Sequence, residues 1–482
     1  MVYNIYCGKI INCYDNLGGD MIKNRRNFIL NGNLYKVIGV LAFPIMINNL
    51  IQTLYNLVDG LWVSKIGSVE FAATGFVWPV NFLFISIGTG LSIAGTSIIS
   101  QFIGADKYEE ANKYASQLIV LSFLSAIVFT IVGYLLSPSI VRLMGGTGEL
   151  ARNSVIYLKI TFLDMPFMFL FFNFNSIMNA EGNTVLPTIL SAISAVLNMV
   201  LDPLFIFTFN MGIAGAAIAT LLAKAVLAIA GIYVLMRKSS KVKPSFKKFR
   251  FDGDIIKKVV SVALPSSIGQ SGSALGFMVL NGFIVSYGTA TLAAFAMVNR
   301  ITSLVSQPAM GIGAALTSIV GQNLGCNQLE RTKEAFSKAI KLTIGFSALG
   351  LIVLLVFDKE IINFFMQSKD DMMVISEGIT YLQYIAWSMP LMGIFSVLQG
   401  VFQGSGRTRY SMEMEVGRLW FVRLPMILIF KNFTNVGSVG IWFSMSFSNL
   451  IICIFGYIMY RRGVWEKNII HSKECIEIKE AN

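Results

Sequence analysis

Charge is scarce in this chain. Asp, Glu, Lys and Arg make up 13% of its 482 residues, about half the share of a soluble globular protein (roughly 25%). That shortage excludes an ordinary water-soluble domain of this size. There is a single histidine, His471, in a polar terminal stretch, so histidine-based catalysis or metal binding lacks its material. The five cysteines (Cys7, Cys13, Cys326, Cys453, Cys475) show no metal-type spacing, and an odd number argues against a disulfide framework. No uninterrupted apolar segment of the signal-peptide kind opens the chain. Met21 begins the basic run MIKNRR, a normal cytoplasmic start in itself, so residues 1–20 read as a start-site extension.

What is abundant is apolar surface, 55% of the residues. Stretches long enough to cross a bilayer, about 20 residues each, fall at 36–64, 70–103, 110–137, 150–179, 185–209 and 212–236. They resume at 255–286, 290–324, 331–357, 372–403, 408–430 and 439–460. The short alternating segments of a β-barrel are missing. The pattern predicts an all-α polytopic membrane protein with twelve transmembrane helices. Its parts are a tail over 1–35, six spans over 36–236, a linker over 237–254, six spans over 255–462 and a second tail over 463–482.

The net charge of +12 is not a nucleic-acid signature. Nine Lys or Arg fall between Arg237 and Lys258, and others lie in the N-terminal tail and just beyond the last span. Basic residues in short loops mark the cytoplasmic side. An even number of spans puts both termini and the central linker on that side of the plasma membrane.

The two sixes align on each other. Pro44 and Pro265 stand 221 residues apart, as do Gly67 and Gly288, and TSIISQFIG from Thr96 and TSIVGQNLG from Thr317. Later the offset drifts, pairing AEGNT from Ala180 with GSGRT from Gly404. Repeats six spans apart have parallel topology, and transporters built so place their cleft between the halves. This predicts two pseudo-symmetric six-helix lobes around a central cavity, with Pro44 as a helix-bending point.

The repeats differ in charge. Asp59 and Asp202 sit mid-span in the first half, where the second half has Leu280 and Leu424. A charge at the bilayer centre costs about 2.5–3.5 kcal/mol on the lenient insertion scale, so such residues usually serve an ion or substrate path. Gln52, Tyr55 and Asp59 are spaced to share one helix face, and Asn198 and Asp202 are i, i+4. Thr220, with Lys224 one turn on, and Tyr157 and Asn175 add polar groups. Carboxylate, amide and hydroxyl oxygens can hold sodium, making Asp59 and Asp202 its metal ligands; a proton needs only a desolvated carboxylate. Lys224 either pairs with Asp59, Asp202 or Asp164, or faces a neighbouring helix or cleft. Asp164 is equally readable as structural or coupling. Glu413, Glu415, Arg418 and Arg423, at i, i+3 and i, i+5, are expected to neutralise one another.

These residues resemble the multidrug and toxic compound extrusion (MATE) family, in its DinF-like branch. The resemblance covers about residues 36–462. It is carried by the Pro44-to-Asp59 span, the NMVLDP segment from Asn198 to Pro203, Thr220 and the duplicated TSI-x-x-Q-x-x-G ends of the second and eighth spans. It implies two lobes in a V, and export of amphipathic, often cationic, small organic compounds in exchange for sodium ions or protons, with no other cofactor and with a monomer as the working unit. It casts Asp59, Asn198, Asp202 and Thr220 as the cation-coupling group, and Gln52, Tyr55, Tyr157 and Asn175 as cavity positions. Gln270 stands near the place where another branch has a seventh-span glutamate, which argues against coupling in the second lobe.

Other readings fit less well. A lipid-linked oligosaccharide flippase of the same superfamily usually has more spans and a cation-rich cavity. A major-facilitator carrier would show a Gly-Asp-Arg pattern where this chain has GADKYEEANK. A channel or receptor would need a pore ring or an external domain, and an intramembrane enzyme a catalytic cluster.

Overall fold

The long helices begin where the sequence supplies caps. Asn33 accepts from the amides of Tyr35 and Lys36, and Asp252 from those of Asp254 and Ile255, satisfying donors that a helix start leaves open. In this computed structural model, which describes residues 25–236, 240–247, 249–365 and 372–470, no strand occurs among the described residues. The expectations placed on residues 1–20, Cys7, Cys13, Cys475 and His471 lie outside them.

A short α1 (Arg25–Asn31) precedes α2 (Leu34–Ser64), α3 (Ser68–Gly104), α4 (Tyr108–Leu143), α5 (Gly148–Ala180), α6 (Val185–Pro203) and α7 (Gly212–Met236). The linker leads to α8 (Gly253–Val285), α9 (Thr289–Gly325), α10 (Leu329–Val356), α11 (Asp358–Phe365), α12 (Met372–Ala386) and α13 (Met389–Gly404). Then come α14 (Thr408–Val416), α15 (Leu424–Phe433) and α16 (Val439–Arg461).

Ten of these segments are each long and apolar enough to cross a membrane. Two crossings are irregular. The stretch expected as one span at 372–403 is α12 and α13 meeting at a 49° bend, with Pro390 in the first turn of α13. The eleventh crossing joins α14 to α15 through a π-helical segment, Gly417–Arg423. Its charged residues keep it from reading as a plain apolar span. A second π turn, Leu204–Thr208, follows Pro203 at the end of α6.

Two of the hydrophobic cores cross the boundary between the repeats. Val37, Ile38, Leu41 and Ala42 from the first half of α2 belong to a core with Ile312, Ala315, Leu316 and Ile319 of α9. Ile255, Val259, Val262 and Ala263 of α8 belong to the core built on α3, α4 and α5. Each lobe thus takes the opening half-helix of the other. The contacts are related by the repeat: a methyl on Gly90 would stand 2.7 Å from the Ala263 carbonyl oxygen, and one on Gly311 3.1 Å from that of Ala42.

The lobes meet again where α3 and α9 end. A methyl on Gly104 would fall on the Gln322 carbonyl, and one on Gly325 on the Gln101 carbonyl. Gln101 Nε2 donates to the Gly404 carbonyl (3.0 Å), and Gln322 Nε2 to the Ala180 carbonyl (2.7 Å). Terminal segments reinforce this end. Arg26 donates to the carbonyls of Ile103 and Gly104, Arg331 to those of Ile29 and Gly32, and the Ile469 amide to Gln101 Oε1. The linker docks on the same end, with Glu181 accepting from Ser240 Oγ and the Val242 amide, both at 2.7 Å. We refer to this end as the terminal face; here it is closed.

Candidate functional site

Pro44 cannot donate an amide to the preceding turn of α2. Its own carbonyl takes the Thr188 hydroxyl of α6 at 2.9 Å, which ties α2 to the lobe that its second half joins. Beyond Pro44 the helix packs in that lobe: Val63, Ile206 and Ala216 form a small core with Trp62, and Trp62 meets Phe207 edge-on at 6.1 Å.

Between these anchors α2, α5, α6 and α7 bring two hydrogen-bonded groups and two further side chains into one cluster. Asn198 Nδ2 donates to Asp202 Oδ1 (3.1 Å) and reaches Thr220 Oγ1 (3.3 Å). The Tyr55 hydroxyl shares a hydrogen bond with the same Thr220 oxygen at 3.3 Å. Lys224 Nζ donates to Asp164 Oδ2 at 2.7 Å. Asn198 and Asp202 are fully buried, 0% exposed. Asp59 lies within electrostatic reach of Asp202 and of Lys224, and Tyr157 within that of Asp59, Asp164 and Asp202.

The network is rich in acceptors and short of donors. Asp59 Oδ1, Asp164 Oδ1, Asn198 Oδ1 and Asp202 Oδ2 are all buried with no hydrogen-bond partner among the described residues. A buried acceptor without a donor costs about 1–3 kcal/mol, and more for a charged group. With three carboxylates and one ammonium, the cluster is suited to gaining positive charge. No group of three or more His, Cys, Asp or Glu among the described residues converges as a metal site. A bound sodium ion would therefore draw on the neutral oxygens of Asn198 and Thr220, or on water, besides the carboxylates of Asp59 and Asp202.

The remaining expectations fare unevenly. Lys224 pairs, and with Asp164. Gln52 is exposed on α2. Asn175 accepts from Asn179 at 3.2 Å, eleven residues past Asp164, or roughly 16 Å along a helix rising about 1.5 Å per residue. The structure does not bring it to the carboxylates. Among the described residues no ion pair joins Glu413, Glu415, Arg418 and Arg423, though Glu415 and Arg418 lie within electrostatic reach of each other. Glu413 pairs with Arg409 at 2.9 Å, and Glu415 accepts from Ser273 at 3.4 Å. Arg418 lies over the Phe395 ring, while Arg423 donates to Ser448, Asn449 and the Met445 carbonyl. The π turn begins between Glu415 and Arg418 and changes the angular register of Arg418 and Arg423 relative to the two glutamates. Thr188 escaped the sequence reading altogether, being one threonine in an apolar span.

The MatE family model matches residues 44–204 and again residues 265–429. The chain belongs to the MatE family. The double match falls on the two repeats, and the protein is accordingly a multi-pass membrane transporter and not an enzyme. It is 28% identical over 438 residues to "Probable multidrug resistance protein YpnP" of Bacillus subtilis (strain 168), covering 90% of this chain and 96% of that protein. It superposes with a TM-score of 0.86 on the crystal structure of MATE in complex with MaL6, at 29% identity over 90% of this chain and 97% of the other. It is similar, at a TM-score of 0.85 and 29% identity, to the outward-facing conformation of a multidrug resistance MATE family transporter of the MOP superfamily, covering 90% of this chain and 96% of that one.

Proposed function

We propose that this MatE protein is an antiporter of the plasma membrane that exports amphipathic organic compounds, cationic ones included, in exchange for H+ or Na+. The observation that carries this reading is the set of four buried oxygens on Asp59, Asp164, Asn198 and Asp202 that lack donors. An entering cation or proton supplies what they lack. The names borne by relatives, multidrug resistance proteins among them, agree with the cargo.

The coupling group in this scheme is Asp59, Asn198, Asp202 and Thr220, with Tyr55 holding the Thr220 hydroxyl and Lys224 neutralising Asp164. Tyr157 and the exposed Gln52 stand where cargo would pass. Arrival of the coupling ion neutralises Asp59 and Asp202, loosens the electrostatic hold on α2 and favours a different bend at Pro44. Binding drives the change only through its different affinity for the two states. The terminal face is the cytoplasmic one, since the basic linker lies there, and the protein works as a monomer. Asp59 and Asp202 in the first lobe, with Gln270 in the seventh span of the second, fit the DinF-like branch.

The experiment is efflux of a fluorescent cationic dye from proteoliposomes, with sodium and pH gradients imposed separately. One gradient should drive export in the intact protein, and Asp59→Asn should abolish the coupled part while leaving membrane insertion unchanged. Full gradient-driven transport by Asp59→Asn would reject the scheme.

A further inference from the structure

The second lobe carries a cavity of its own. About 330 Å³ in volume, it lies among α9, α10, α13 and the eleventh crossing, with Met310, Met389, Met392 and Phe395 in its apolar wall and Glu415 and Arg418 in its polar one. Met310 is 53% exposed and the nearby lining residue Ala314 is exposed as well, so the cavity opens outward on that side.

Most of its polar groups are already engaged. Gln399 exchanges hydrogen bonds with Ser411, and Gln403 donates to both. Ser306 donates to the Thr302 carbonyl, and Glu415 holds Ser273. Arg418 is the exception. Its side chain is 8% exposed, its guanidinium carbon sits 4.5 Å over the Phe395 ring, and Nη1 meets only the Met392 sulfur at 3.2 Å. Nε, buried, meets no acceptor among the described residues. Glu415 is near enough to be felt electrostatically, yet it forms no ion pair with Arg418 among the described residues. A planar guanidinium fixed by stacking, with an open donor edge, matches a carboxylate. Flexible methionines around it tolerate varied apolar bodies.

We propose that this cavity binds the carboxylate of amphipathic zwitterions, with Arg418 taking the anionic group, Glu415 complementing the cationic part, and the methionines and Phe395 enclosing the body. This deepens the export reading, on which it rests, by naming a substrate class beyond simple organic cations.

The test is fluorescence polarisation on the purified full chain in lipid nanodiscs with two dyes, rhodamine 110 and rhodamine 123. They share one cationic ring system and differ in a free benzoate against its methyl ester. The intact protein should bind the free acid more tightly than the ester. Arg418→Gln should weaken the acid about tenfold, the scale of one lost charge-assisted hydrogen bond, with the ester unchanged. Arg418→Lys, which keeps the charge and loses the fork, should fall between. Equal affinity for both dyes in the intact protein, or an Arg418→Gln variant that keeps the acid preference, overturns the proposal. Should Arg418→Gln fail to fold, the acid-to-ester ratio in the intact protein and in Arg418→Lys decides alone. Gradient-driven efflux of the ester is scored separately. Its absence would sink the antiport reading and leave the carboxylate site standing, whereas efflux without acid preference would do the reverse.

Discussion

Lys224 donates to one oxygen of Asp164 at 2.7 Å, while the other oxygen of that carboxylate, equally buried, receives nothing. The pair is half-made, and an incoming cation could complete it or displace its lysine. Removing Lys224 leaves a buried charge uncompensated. Because the Lys224 side chain is 30% exposed, the cost of Lys224→Met should fall below the full buried-pair range, at about 1–3 kcal/mol. Thermal unfolding in detergent checks this, and Asp164→Asn in the same chain should restore most of the loss. The variant should also shift the sodium or proton dependence of efflux; unchanged dependence would remove Lys224 from the coupling scheme.

Thr220 joins two branches of the network through one hydroxyl. Thr220→Val keeps the shape and deletes the hydroxyl that meets both Tyr55 and Asn198. A loss of about 1 kcal/mol in stability is expected, with a several-fold weaker response to the driving ion. Thr220→Ser should recover both, in ion-titrated efflux and in unfolding.

At the terminal face the amides of Gln101 and Gln322 hold carbonyls of opposite lobes. Each bond should favour closure by about 1 kcal/mol, so Gln322→Leu should shift the closed-to-open ratio about fivefold. Thiol labelling of a cysteine introduced at Ser100, which is buried at this junction against Gly321, reads the ratio. Gln101→Leu should do less on the Gly404 side, because Ser97 also donates there at 3.3 Å.

Gly104 and Gly325 permit the same junction sterically. Alanine at either should press a methyl into a backbone carbonyl that cannot swing aside like a side chain. Gly104→Ala and Gly325→Ala should therefore both raise labelling at the terminal face and slow transport, with similar size because their surroundings are repeat-related. A wild-type rate in either would show that closure leaves more room there.

The linker carries a pH dependence. Burial pushes the Glu181 carboxyl above the ordinary carboxylate range, against the opposing hydrogen bonds from Val242 and Ser240 and the nearby charge of Arg25. A carboxyl raised in the folded state binds protons more tightly there than in the unfolded chain. Its contribution is therefore most favourable in acid, and declines as pH rises through the carboxylate range to the raised folded value. Glu181→Gln, which keeps an acceptor oxygen, should flatten this decline. Protease cleavage in the linker against pH measures it.

Much of this was legible beforehand. Span positions follow from apolar runs, and the repeat from the spacing of Pro44, Gly67 and Thr96 with their counterparts. The carboxylates announced themselves by standing where leucines stand in the other half. What stayed hidden depends on three dimensions. The bend between α12 and α13 divides a stretch that reads as one span, and the π turn at Gly417–Arg423 changes which residues share a face where ion pairs were expected. The duplicated glutamines were visible as a motif, but their role depends on which carbonyls lie opposite. Arg418 looked ion-paired in sequence and is instead stacked on Phe395 with an open donor edge.

The division of α2 between the two cores has a mechanical consequence. Its opening half travels with one rigid body, and the half bearing Asp59 with the other, so Pro44 is a fulcrum that any relative rotation must load. The repeat-related α8 has the same fulcrum at Pro265 and no carboxylate beyond it. Under the exchange proposed above, two matched levers carry the motion, and only one of them bears a carboxylate on which an ion gradient would act.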